Sequence, residues 1–172
     1  MIVLIRNLLA AIGLTALIAL LEPYLEIALY SARLASLAAP AQLPIPVDGV
    51  RASALRDSWH AGRSGGRRHE GVDIFAPHGT PVRATTEGVV ARTGSNRLGG
   101  LVVWVLGPAG QRHYYAHLSR LADVFAGQRV TAGTLLGYVG NTGNARGTAP
   151  HLHYGIYTHS GAINPFPLLR GE

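Results

Sequence analysis

The sequence predicts an all-β domain preceded by an N-terminal membrane helix. From residue 57 onward, short runs rich in Val, Thr, Tyr and Trp are separated by glycines, as expected for strands and turns. No 18-residue stretch of helical periodicity interrupts them. The first forty residues are of another kind: residues 8–21 carry no charge and nothing more polar than Thr15.

Taken in order, the apolar run comes first. At about 1.5 Å per residue, residues 8–21 cover only about 21 Å of a hydrocarbon core of about 30 Å. Extension to residues 2–5 or to residues 24–30 completes a span and brings Arg6, or Glu22 and Glu26, to an end where a charge can reach the interface. The amino terminus and Arg6 are positive and the two glutamates follow the run, so the start is expected in the cytoplasm and the remainder outside. The competing reading is a cleaved signal peptide and a secreted protein, with Ser36-Leu37-Ala38 as cleavage site. Residues 1–38 are therefore expected to be an anchor or signal helix. Residues 39–56, with Pro40, Pro44 and Pro46, read as an extended linker. Residues 57–172 form the domain, with strands expected over 80–90, 101–106, 111–115 and 151–157.

Composition narrows the chemistry. There is no cysteine, which excludes disulfides and thiolate metal ligands. All 15 basic residues are arginine, and the net charge is +6. An anionic polymer suits such a surface. Nucleic acid is not expected as a partner: no recognition motif accompanies the charge, and Arg67-Arg68 is the only adjacent pair of arginines.

The most informative residues are His69-Glu70-Gly71-Val72-Asp73 and His151-Leu152-His153, with Tyr115-Ala116-His117-Leu118-Ser119 between them. Neutral imidazoles and a carboxylate are donors that zinc accepts, and three protein ligands leave a fourth position open for catalysis. In a straight strand, His69 and Asp73 would stand roughly 13 Å apart, too far to share an ion. The chain is expected to bend there and enter a strand, with Gly71 allowing a backbone conformation closed to other residues. His151 and His153 are two apart and should share one face of a strand, about 6 to 7 Å from each other. One can bind metal while the other faces substrate. His113, in the same parity as Tyr115 and His117, is a candidate for a substrate-facing position.

Four ordered segments, RRHEGVDIFAPHGTPVRATTEGVV, HYYAHLSRL, GQRVTAGTLLGYVGNTG and APHLHYGI, resemble the M23 family of zinc metallopeptidases, the lysostaphin and LytM-type endopeptidases of bacterial peptidoglycan. The resemblance runs from about residue 57 to 165. It implies antiparallel sheets with a groove on one face. It also implies one zinc ion held by His69, Asp73 and His153, with His117 and His151 as unliganded catalytic histidines. Three features depart from the family pattern without touching a ligand: Gly155 after Tyr154, a longer loop before His151, and Trp59-His60 where Phe-Gly is common.

The implied activity is hydrolysis of peptide bonds in peptidoglycan cross-links by a zinc-activated water. Of His117 and His151, one would be the base and the other would steady the oxyanion. The implied place is the bacterial cytoplasmic membrane, with the catalytic domain periplasmic. The alternative is a catalytically silent LytM-type module that binds and activates a cell-wall amidase; such modules usually lack a zinc ligand, and here all three are present.

Overall fold

The computed structural model describes residues 2–171, so Met1 and Glu172, the outermost residues of the first and last predicted segments, lie outside the description. A helix, α1 (Ile2–Ser36), leads into a domain of short strands. These are β1 (Val72–Phe75), β2 (Pro81–Arg83), β3 (Gly88–Asn96), β4 (Gly100–Leu106), β5 (Arg112–Leu118), β6 (Arg120–Leu121), β7 (Arg129–Val130), β8 (Leu135–Tyr138), β9 (His151–Thr158) and β10 (Gly161–Ile163). A single-turn helix, α2 (Phe166–Arg170), closes the chain.

Two antiparallel sheets result. The larger has the order β1-β9-β5-β4-β3-β7, with β10 also paired to β9, and the smaller has the order β2-β8-β6. The stretch expected as one strand over 80–90 is two, one in each sheet, with the crossing at residues 84–87. Along β4 and β5, successive side chains alternate between faces. Val103, Val105 and Tyr115 enter the main core with Val72, Ile74, Leu152 and Ile156. Val102, Tyr114 and Ala116, flanked by Trp104 and Tyr157, form a small second cluster. The large sheet thus has a core face and a second face that is free to carry a site.

Residues 39–56, expected as a linker, carry a turn at 48–49 and a 3-10 turn at Ala52–Ala54 and are packed onto the domain. Leu43, Val47 and Leu55 are buried in the main core. The Leu43 amide donates to the Leu168 carbonyl at 2.9 Å, the Asp48 amide to Pro81 at 3.1 Å, and the Arg83 amide to Pro46 at 2.8 Å. Arg83 also grips the Asp48 carboxylate with two nitrogens, at 2.7 and 2.9 Å. The prolines suppress helix and interior strand as expected, while the apolar residues between them gain more from burial than from exposure.

Helix α1 runs unbroken through Pro23. In its first part the side chains that the structure describes are exposed, with Leu9, Ile12, Leu17 and Leu21 each more than half accessible. Its last turns dock on the domain beside β3 and the turn Pro108–Gly110. Leu34 is fully buried there, and the Tyr30 hydroxyl and Arg33 guanidinium both donate to the Glu87 carboxylate, at 2.9 and 3.2 Å.

His113 departs from the expectation that it faces substrate. It is fully buried on the core face, where its Nδ1 meets the Tyr154 hydroxyl at 2.7 Å and the Thr85 hydroxyl at 3.3 Å. Thr85 also contacts the hydroxyls of Tyr115 and Tyr154, each at 2.9 Å, which ties the crossing between the sheets to β5 and β9. Burial pushes the His113 pKa down to about 4. In the unfolded chain this imidazole titrates near 6.5. Between those values the unfolded state binds the extra proton, so the contribution to stability is complete above about 6.5 and is lost as pH falls toward 4, on the order of 3 kcal/mol. Urea unfolding of the full chain in detergent at pH 7 and pH 4.5 is expected to show this loss, and a His113→Gln variant is expected to lack that share of the slope.

Candidate metal and catalytic site

The site is assembled where β1, β9 and β5 lie side by side. Asp73 pairs in register with His153, and His153 with Ala116, so these three stand in one row across the strands. His151 lies two residues from His153 on the same face, and Leu152 between them is buried in the core. That is the parity expected from the spacing.

His69 reaches the row from outside the sheet. It closes a small irregular hairpin in which its amide donates to Ala61 at 3.0 Å and its carbonyl accepts from His60 at 2.8 Å. The chain bends at Gly71 before entering β1. The reason for glycine is not the one expected from the sequence, since Gly71 is absent from the residues with positive φ. Space requires it instead: a Cβ at Gly71 would lie 2.6 Å from His153 Cε1 and 2.6 Å from the Tyr154 carbonyl oxygen. A Gly71→Ala variant is therefore expected to push the His153 ring aside. It should lower metal affinity by at least about tenfold, the range seen when groups that orient a ligand are changed, as read by equilibrium dialysis against zinc.

Three donor atoms converge. His69 Nε2 is 3.0 Å from Asp73 Oδ1, His153 Nδ1 is 3.1 Å from the same oxygen, and the two imidazole nitrogens are 2.8 Å apart. Among the described residues this is the one group of histidine and acidic side chains whose ligand atoms cluster closely enough for an ion. Its chemistry fits zinc. His69 Nδ1 stands 2.7 Å from the Ser58 carbonyl, which can only accept, so the proton sits on Nδ1 and the lone pair of Nε2 faces the cluster. Asp73 Oδ2 is taken by the Arg63 guanidinium, which leaves Oδ1 alone turned toward the histidines. Burial by itself would raise the Asp73 pKa, but the imidazole nitrogens of His153 and His69 outweigh it and hold the carboxyl well below the usual range. The group is thus a carboxylate, as a metal ligand must be.

His117 reaches the same face by an irregularity. It is two residues from Tyr115 and would point into the core if β5 were regular, but the pairing of β4 with β5 shifts between Leu101 and Val103. His117 takes the left-handed conformation at φ 64. A bulge of this kind turns a side chain to the other face at a local conformational cost. Thr142 fills the gap in the ladder: its hydroxyl accepts from the Leu101 amide at 3.0 Å and donates to the Leu118 carbonyl at 2.8 Å. The Thr142 carbonyl accepts from His117 Nδ1 at 2.9 Å, while His151 Nδ1 donates to the Ala149 carbonyl at 2.8 Å. Both rings therefore carry their proton on Nδ1 and present Nε2 to the site. Their centroids are 5.0 Å apart, and that of His117 is 5.9 Å from that of His153. Burial first, and then the neighbouring His153 and His151, lower the His117 pKa to about 4, so it is neutral around pH 7.

All five residues line one pocket of about 740 Å³. Its walls also include Arg63, Glu70, Trp104, Tyr114 and Tyr157, which sequence reasoning had not placed there. Tyr157 is pushed up to about 12 by burial and then by the nearby Glu70 charge. The tyrosines and Trp104 carried a usable signal: they sit at alternate positions of predicted strands, in the opposite parity to the core residues. Arg63 carried none, since its contact with Asp73 crosses an irregular loop.

Two imidazoles and a carboxylate around one point, with two further imidazole nitrogens turned to the same pocket, are the equipment of a metal-dependent hydrolase. The chain belongs to peptidase family M23, a family of zinc metallopeptidases, whose model matches residues 67–165. It is 42% identical over 140 residues to an L-Ala–D-Glu endopeptidase of Bacillus subtilis, covering 74% of this chain and 42% of that protein. It is 39% identical over 111 residues to lysostaphin of Staphylococcus simulans, covering 61% of this chain and 22% of that one. The chain spans less than half the length of these curated relatives. Among solved structures, the lysostaphin catalytic domain from the same organism superposes with a TM-score of 0.60 at 33% identity, over 67% of this chain and 91% of that domain. A zinc-containing peptidase from Vibrio cholerae superposes with a TM-score of 0.58 at 26% identity, over 71% of this chain and 38% of that one.

Proposed function

We propose that this chain is a membrane-anchored zinc endopeptidase that hydrolyses peptide bonds in peptidoglycan cross-links. The observation that carries the reading is the complete donor set, His69, Asp73 and His153, in one pocket with the Nε2 atoms of His117 and His151. A zinc ion held by those three residues supplies a Lewis acid and lowers the pKa of bound water toward neutrality. The pocket serves as the groove in which an extended peptide lies.

The chain's own part is proton handling and orientation. A neutral imidazole with its proton fixed on Nδ1 accepts the water proton at Nε2 and can return it to the leaving amine. The other histidine would donate to the oxyanion from Nε2 in its doubly protonated form, having taken the extra proton from solvent before the reaction. Arg63 keeps Asp73 in place by holding Oδ2.

Anchoring is favoured over a cleaved signal by the way α1 ends. The helix offers 33 residues near the N-terminus, within which an 18-residue stretch has a mean hydropathy of 2.1 and is unburied in the protein. Cleavage at the candidate site after residue 38 would strip the domain of buried Leu34 and of both donors to Glu87. The domain is then periplasmic, with the N-terminus inside.

Digestion of purified sacculi by the full chain in detergent is expected to release soluble peptides with zinc, to stop with a chelator and to resume on adding zinc back. Mass analysis of the products names the bond. Zinc bound at one equivalent without any released peptide would favour the silent amidase-binding module instead.

A further inference from the structure

We propose that the catalytic domain rests against the periplasmic surface of the cytoplasmic membrane in a fixed attitude, with Phe125 as an apolar contact to the lipid interface. This rests on the reading of α1 as an anchor. About 20 helical residues cross a hydrocarbon core of about 30 Å, and residues 2–21, ahead of Glu22, supply that length. Residues 22–36 then continue the same helix beyond it. Ile27 stands six residues past Leu21, about 9 Å further out, at the outer side of a headgroup layer of roughly 5 to 8 Å.

At that level the domain touches the helix. A Cβ on Gly127 would lie 3.2 Å from Ile27 Cδ1, which puts the backbone of the loop before β7 against the helix. Arg129, just after that loop, donates to the Glu26 carbonyl at 3.2 Å, lies 3.6 Å from the Glu26 carboxylate and stacks over the Tyr30 ring at 4.6 Å. One turn further on, Tyr30 and Arg33 hold Glu87, and Leu34 is buried. Contacts at 26, 27, 30, 33 and 34 leave the helix no free joint with the domain, and residues 39–56 are packed into the core rather than slack.

Phe125 lies two residues before Gly127 and is 64% exposed. Outside α1, the exposed large apolar side chains among the described residues are Phe75 and Phe125. Phe75 lines the catalytic pocket, which accounts for it. Phe125 is not among the residues that line that pocket, and it belongs to the loop whose Gly127 meets Ile27, next to the exposed Tyr24 and Leu25 of the helix. An aromatic residue at the headgroup level of a lipid surface is in its preferred environment.

The chain has no cysteine, so single introduced cysteines can be labelled with a small fluorophore in the full chain in proteoliposomes containing brominated lipid. Labels at Leu14→Cys and Phe125→Cys are expected to lose fluorescence. A label at Ser160→Cys, in the turn between β9 and β10 at the opposite edge of the sheet, is expected to keep it. Adding Glu87→Gln and Arg129→Gln should loosen the helix base and reduce quenching at 125 while leaving quenching at 14 unchanged. Quenching at 14 with none at 125 would overturn the proposal and spare the anchor. No quenching at 14 would remove the anchor, and the proposal with it.

Discussion

Replacing Asp73 by alanine is expected to remove both the metal and the activity. Asp73 is the only carboxylate among the three convergent donors, and its Oδ1 is the atom that both His69 Nε2 and His153 Nδ1 approach. Without it, two neutral imidazoles remain beside the positive charge of Arg63, which loses its partner. Both changes disfavour a divalent cation. Several kcal/mol of Lewis-acid stabilisation disappears with the ion, at about 1.4 kcal/mol per factor of ten, so hydrolysis should fall by at least about 10³-fold. Metal analysis of the purified variant, beside sacculus digestion, checks it. Zinc retained at one equivalent would contradict the assignment.

Replacing His117 by alanine should separate the two properties. The ring makes none of the close contacts among the three donors and is held by the Thr142 carbonyl, so zinc should stay bound at one equivalent. Turnover should fall by about 10² to 10⁴-fold, the usual contribution of a positioned acid or base. The left-handed backbone at this position costs an alanine conformational energy, whereas asparagine adopts it more readily. His117→Asn is therefore the companion variant: it should fold as the parent does, keep zinc and be equally inactive. Metal loss in both variants would make His117 a ligand and sink the proposed role.

How much of this was legible beforehand depended on the range of the interactions involved. His151 and His153 share a face because a strand alternates, and a spacing of two carries that information locally. The same rule misplaced His113 by grouping it with His117. The bulge before Leu118 exists because Thr142, far along the chain, repairs the ladder around it, and no local pattern in HYYAHLS reports that. Gly71 was singled out correctly but for a different reason: the obstacle is the His153 ring, which only the folded chain brings near. The prolines of residues 39–56 announced an extended segment, yet Leu43, Val47 and Leu55 found their places only when α2 and the smaller sheet were there to cover them.

The amino-acid sequence by itself determined the donor types, the two-residue spacing on β9, the sheet-rich character of the domain and the apolar length of α1, because each follows from local pattern and side-chain chemistry. Tertiary structure decided which face His113 and His117 occupy, that Arg63 holds the second oxygen of Asp73, and that α1 ends locked against Glu87 and Arg129 rather than on a slack linker. These are contacts between residues distant in the chain, and their energies exist only once the sheets bring the partners within reach.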